Sequence, residues 1–293
     1  FSCSGDGELH LYPRFSARRM ISLLPQISNQ KLRNFIPAVG KRYHANPFHN
    51  LTHATSVTHA VFMIIKTTRI DSLLRPLDKL GLLTAAFCHD IDHPGNNNAY
   101  EVNTLSPLAL LHADSSVLER HHIAVAYQVL LEDGGANNIM SELTRPQFQE
   151  VRQVVIQAIL ATDMSRHMQH CAELADLAQK SKTVCGGEGF MAAGNGGGGR
   201  QGKRTPPRSL AGMKAPRQSD RSWADNKSSR AKQGQRIDEV KEPFQLFSVD
   251  KAEDRLFLSK TIMHCADLSG QVVDNHLAVE WGRRIIEEFQ LQA

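Results

Sequence analysis

Apolar positions recur at helical spacing along most of this chain, and no stretch shows the sustained two-residue alternation of a half-buried strand. Residues 1–16 lack periodicity and read as a frayed end. Residues 17–39 are helical in pattern, interrupted by Pro25 and Pro37, with Leu32-Arg33-Asn34-Phe35-Ile36 the strongest piece. Further helices are predicted over residues 52–67, 73–87, 107–112, 116–132, 147–161, 256–266 and 276–291. Pro47 is a candidate helix start, Pro94-Gly95 is a sharp break, and Asn96-Asn97-Asn98 continues that break as a loop. The expected fold class is all-α, a compact multi-helix bundle.

One segment departs from the pattern. Eleven of the 20 glycines fall between Gly186 and Gly234, with Gly196-Gly197-Gly198-Gly199 in a row and Ser, Arg and Lys filling most of the rest. Such a composition buries too little apolar surface to offset its ordering entropy. We therefore expect residues 186–234 to be a disordered basic insertion, a solvated loop expansion in plain terms. It divides a catalytic domain into an N-terminal part, 17–185, and an incomplete C-terminal part, 235–293.

The net charge of +4 is local to that basic segment, and the remainder is mildly acidic. This argues against a nucleic-acid partner. No apolar run approaches the roughly 18 residues of a membrane span. The five cysteines, Cys3, Cys88, Cys171, Cys185 and Cys265, are scattered and form no C-x-x-C pair. A reducing, cytoplasmic setting is the expectation, with flanking membrane attachment compatible. Cys88 and Cys265 read as small buried hydrophobes, and His59 is given no role.

The candidate chemistry lies at the predicted helix ends. Phe87-Cys88-His89-Asp90-Ile91-Asp92-His93-Pro94-Gly95 closes one apolar helix. His49-Asn50-Leu51-Thr52-His53 lies upstream, where a spacing of four lets one helical face present both histidines. His264-Cys265-Ala266-Asp267 closes another apolar helix far downstream. A carboxylate buried at such an end is costly without a partner, and a cation removes the cost. Three such ends in one chain point to a hydrolytic site with two divalent cations.

These motifs, with Asn46-Pro47-Phe48-His49-Asn50, Asp114-Ser115-Ser116-Val117-Leu118-Glu119, His121-His122 and Ala161-Thr162-Asp163-Met164, occur in an order that resembles the class I 3′,5′-cyclic-nucleotide phosphodiesterases. These are all-helical relatives of the HD hydrolases. The resemblance covers residues 31–162 and 254–289. Thr84-Ala85-Ala86-Phe87-Cys88-His89-Asp90 looks most like the cGMP-selective ninth mammalian branch.

The resemblance implies hydrolysis of cAMP or cGMP to a 5′-nucleoside monophosphate, ending a signal. His53, His89, Asp90 and Asp267 would hold a first metal, typically zinc. Asp90 would bridge to a second, typically magnesium or manganese, that keeps its waters. His49 would be the general acid. Glu119 would orient His49 or order water, with His93 and Thr162 nearby. Asn98, Leu268, Ile285, Ile286 and Phe289 would join His49 around the nucleotide.

Two positions depart from the family pattern. Ser56 stands where an aspartate is common, and Gly270 where an asparagine commonly touches the base. The purine-binding glutamine and its aromatic clamp are expected beyond Ala293, so the domain reads as truncated at its C-terminus. A homodimer is compatible. The alternatives are another HD-type metallophosphohydrolase, against which the DSSVLE and ATDM runs speak, and a non-catalytic metal-binding helical regulatory module.

Overall fold

The computed structural model describes residues 27–185 and 247–292, preceded by three short strands. Those strands, β1 (Ser2–Cys3), β2 (Leu9–Tyr12) and β3 (Phe15–Ser16), pair antiparallel in the order β1-β2-β3. The expected insertion, 186–234, lies outside the described residues. Contacts group the chain into one unit, Phe1–Lys180 with Phe244–Ala293, and a second, Ser181–Pro243, of which only residues 181–185 are described.

From residue 27 onward the described structure is helical, as the periodicity requires. The helices are α1 (Asn29–Gly40), α2 (Leu51–Thr67), α3 (Pro76–Cys88), α4 (Asn98–Asn103), α5 (Pro107–His112), α6 (Val117–Leu131), α7 (Arg145–Leu160), α8 (His167–Cys185), α9 (Ala252–Asp267) and α10 (Asn275–Leu291). Four 3₁₀ turns join them: Arg69–Ser72, Asp133–Gly135, Met164–Arg166 and Leu268–Gln271.

Several local expectations are corrected. Pro37 sits inside α1 rather than interrupting it, because burial of Leu32, Phe35, Ile36 and Val39 outweighs one missing backbone donor. Pro47 does not begin a helix. Asn50 does the capping, its side chain accepting from the backbone N–H groups of Thr52 and His53 at 2.9 and 3.2 Å. Asn98 is no loop residue but the first of α4, whose cap is Asn97 accepting from Tyr100 N–H at 2.8 Å. Helix α8 had no prediction, since its residues 167–180 carry few apolar side chains to set a period.

Helix α3 is the axis of the body. Every residue from Leu80 to Cys88 is buried, so it is covered on all sides. It packs most extensively on α7, then on α2, and α9 closes against α7, α2 and α3. Gly81 lets α3 and α7 approach. A Cβ there would lie 2.8 Å from Val154 Cβ and Cγ1 and 3.1 Å from the Val151 carbonyl oxygen. The consequence is that α3 delivers its C-terminal end, and the residues just past it, into the interior.

Gly81→Ala should therefore destabilise the fold despite alanine's better helix propensity. Overpacking of this kind costs about 1–3 kcal/mol, against the roughly 1 kcal/mol that propensity returns. Urea unfolding should show a lower midpoint, and a higher one would mean that the two backbones are not in close contact.

Candidate dimetal active site

Three helix ends meet. His53 lies in the first turn of α2, His89 caps the C-terminus of α3, Asp90 follows it, and Asp267 is the last residue of α9. His89 Nδ1 donates to the Ala86 carbonyl at 3.0 Å, which leaves Nε2 with a lone pair facing the cluster. That atom is 3.2 Å from His53 Nε2, 3.0 Å from Asp90 Oδ2 and 3.2 Å from Asp267 Oδ1. His53 Nε2 is 3.3 Å from Asp90 Oδ2 and 3.0 Å from Asp267 Oδ1.

These are five of the six edges of a tetrahedron, all between 3.0 and 3.3 Å. A tetrahedron of that edge has its centre roughly 2 Å from each corner, the usual Zn–N and Zn–O length. Asp90 Oδ2 is buried and makes no hydrogen bond of acceptable geometry, although both imidazoles are near. That unsatisfied oxygen gives a cation a place in this donor set. Burial pulls His53 and His89 down, but Asp90 and Asp267 outweigh it and hold both above the usual histidine range. The same attraction overrides burial at Asp90 and Asp267 and holds both carboxyls well below the usual carboxylate range.

A second cation has donors too. Asp90, His93 and His122 each offer an atom within 4.8 Å of the others. His122 Nδ1 donates to the Ile91 carbonyl at 2.7 Å, and burial pushes its pKa down to about 4. Burial, with charge on His49, holds His93 well below the ordinary range, and its Nδ1 accepts from Gly95 N–H at 3.0 Å. His49, His93 and His122 stack in series, with centroids 4.0 and 5.5 Å apart.

His49 does not share the helical face of His53. It precedes the N-cap Asn50, and the two rings lie nearly perpendicular with centroids 6.0 Å apart. Its partner is Glu288, a residue the sequence reading missed. Glu288 is 1 % exposed, and one of its carboxylate oxygens hydrogen-bonds His49 Nδ1. The other accepts from the backbone N–H groups of Phe48 and His49 at 2.8 and 2.9 Å. Burial raises Glu288, and the bond to His49 overrides it, so the carboxyl sits below its ordinary value. One signal was available: Trp281, Ile285 and Glu288 share one helical face, and a carboxylate in such a stripe needs a buried partner.

The carboxylate that bonds His49 is Glu288, while Glu119 bonds elsewhere. Glu119 is buried, and both its oxygens accept from Asn98 Nδ2, at 3.2 and 3.0 Å. Burial pushes it up to about 7. Asn98 also accepts from Leu118 N–H at 2.9 Å, so it serves Glu119 and the start of α6. The Thr162 hydroxyl donates to the Ile159 carbonyl at 2.8 Å.

The expected nucleotide-lining set is only partly gathered. Ile285 is half-buried on the Glu288 face, and Leu268 is half-buried in the turn after Asp267. Ile286 and Phe289 are 58 % and 41 % exposed, because the face that brings Glu288 inward turns them out. Gly270 lies under Trp281, whose ring a Cβ at position 270 would meet at 3.5 Å.

Comparison with known proteins agrees with this geometry. The family model described as 3′5′-cyclic nucleotide phosphodiesterase matches residues 48–293, and the chain belongs to that family. Among curated proteins, a mouse relative named high affinity cAMP-specific and IBMX-insensitive 3′,5′-cyclic phosphodiesterase 8A is 30% identical over 90% of this chain and 26% of its own length. A Drosophila melanogaster 3′,5′-cyclic-AMP phosphodiesterase, isoform F, is 30% identical over 96% of this chain and 33% of its own. The crystal structure of the phosphodiesterase domain of Salpingoeca rosetta rhodopsin phosphodiesterase aligns with a TM-score of 0.66 and 26% identity, over 93% of this chain and 63% of that one. The chain thus spans about a quarter to a third of those two curated relatives.

The acids they face raise His53 and His89, which favours protons on both rings when no metal competes. A metal ion must displace those protons to reach the ring lone pairs. Metal binding should therefore release protons, and affinity should climb as pH rises through neutrality. Calorimetry in buffers of different ionisation enthalpy reads the proton number directly. Proton uptake on binding would contradict the assignment.

Proposed function

We propose that this chain hydrolyses 3′,5′-cyclic nucleotides to 5′-nucleoside monophosphates, with His49 as general acid. The observation that carries the reading is the pairing of two arrangements: four ligating atoms at tetrahedral separations, and beside them a histidine held by a buried carboxylate. The names of the relatives make cAMP the first substrate to test. A cytoplasmic setting goes with the reading, since the described cysteines, Cys88, Cys171 and Cys265, are free thiols. Among the described residues no helix is long and apolar enough to cross a membrane.

His53, His89, Asp90 and Asp267 would hold the first cation, and their nitrogen and oxygen donors suit zinc. Asp90 would be shared with a harder second cation such as magnesium or manganese. Once bound, such a pair neutralises the cyclic phosphate and makes a water nucleophilic near neutral pH. The protein's own residues do the rest. Glu288 accepts from His49 Nδ1, so Nε2 is the nitrogen left to donate. His93, kept neutral, stacks on that ring and restricts its rotation without adding charge. As the P–O3′ bond breaks, the proton on His49 Nε2 passes to the departing ribose oxygen.

Replacing His53 with Ala removes a ligand, so metal content and turnover should both fall. Replacing His49 with Ala should leave metal in place and slow turnover about 10²–10⁴-fold, the usual worth of a general acid. An activated diester whose leaving group needs no proton should largely escape the His49→Ala defect. Glu288→Gln should resemble a milder His49→Ala. Elemental analysis beside rates on both substrates decides the matter: metal loss in His49→Ala equal to that in His53→Ala would make His49 a ligand instead.

A further inference from the structure

The metal-binding loop carries a carboxylate that the mechanism does not use. Asp92 sits between Asp90 and His93 in sequence, and its side chain bonds His44 and His121 instead of joining the metal-ligand group. Its backbone φ is +60°, in the left-handed region that an L-residue other than glycine, asparagine or aspartate seldom adopts. Both of its oxygens are engaged. Oδ1 meets His44 Nε2 at 2.7 Å, and Oδ2 meets His121 Nε2 at 2.9 Å.

These partners come from two separate segments. His44 belongs to the stretch between α1 and α2 that also carries Phe48 and His49. His121 belongs to α6, next to His122 and two residues after Glu119. One carboxylate thus joins the segment of the proposed general acid, the metal loop and the helix behind them. The same segment is tied to the metal loop by Tyr43, whose hydroxyl donates to the Phe87 carbonyl at 2.9 Å, and by Asn46 Nδ2, which donates to the His93 carbonyl at 2.8 Å. Asp92 reaches α6 as well through a side-chain hydrogen bond, beside the ring stack of His49, His93 and His122 that also spans these segments. The His44 and Asp92 side chains are 56 % and 33 % exposed. Exposed pairs of this kind contribute little to global stability, so the gain from a strained backbone must be sought in geometry.

We propose that Asp92 is a positioning residue for the hydrolysis: its bridge to His44 and His121 sets the distance between His49 and the metal ligands. The proposal rests on the reading of His49 as general acid. Its two oxygens accept hydrogen bonds at two fixed points, and displacing His49 by an ångström is enough to slow proton transfer on the order of 10²-fold.

The test uses the full metal-loaded chain and the substitution Asp92→Gly. Glycine adopts φ +60° freely, so the fold should be as stable or more stable, while the bridge is lost. Turnover of the cyclic nucleotide should fall about 10–100-fold with metal content retained. Hydrolysis of bis(p-nitrophenyl) phosphate, whose leaving group needs no proton, should fall far less. Asp92→Asn, which accepts one bond instead of two, should lie between. Adding His44→Ala to Asp92→Gly should cause little further loss. Independently of turnover, the backbone amides of Phe48 and His49 should exchange with solvent faster in Asp92→Gly.

Unchanged amide exchange, or equal loss on both substrates with metal retained, would overturn the proposal. A lower melting temperature in step with lost activity and metal would also overturn it, since Asp92 would then be only a structural staple. His49→Ala run in parallel keeps the two readings apart. If His49→Ala itself fails to distinguish the substrates, the acid assignment fails, whereas Asp92 is then judged by amide exchange alone.

Discussion

Two carboxylates and two imidazoles are held in the interior with their lone pairs aimed at one point. Their separations of 3.0 to 3.3 Å are too close for four acceptors to tolerate without a cation or protons between them. Burial makes the tension larger, since His89 is fully buried and Asp90 nearly so. Asp90 and Asp267 also lie at helix C-terminal ends, where the backbone dipole disfavours negative charge. Nothing in the packing alone accounts for such a cluster. The body is arranged to hold it: α3 is covered on every side, and α2 and α9 close around its end.

Around that centre the titratable groups are pushed apart by environment. His53 and His89 are raised by the acids they face, while His93 and His122 are lowered by burial. Glu288 lies below the ordinary carboxylate range and Glu119 is raised to about 7. Divergence of this kind is how one pocket separates ligands, a proton donor and its orienting base. The rings of His93 and His122 also extend the stack from His49 toward Asp90.

The helices with a strong apolar face were legible in the sequence to within a few residues, and so was the placement of His89, Asp90 and Asp267 at helix ends. Each depends on local pattern. Helix α4 was missed because its start depends on a single asparagine cap, and α8 because its polar sequence has no stripe to read. Glu288 was missed for a different reason. Its partner is 239 positions away, and only the fold brings α10 over the segment preceding α2. On the same helix Ile286 and Phe289 are exposed, since the face that buries Glu288 turns them outward.

The unlike positions of His49 and His53 follow from one backbone choice. Four residues apart, they would share a helical face if the helix began at Pro47. Asn50 instead closes the N-terminus of α2 with its side chain and also donates to the carbonyls of Asn46 and Pro47, at 2.8 and 3.2 Å. That leaves His49 outside the helix, on a stretch free to follow Glu288, while His53 stays on the first turn and faces His89. A helix started one turn earlier would aim both imidazoles along one line and give the site two ligands and no acid. In the proposed reading, the cap therefore separates coordination from proton transfer.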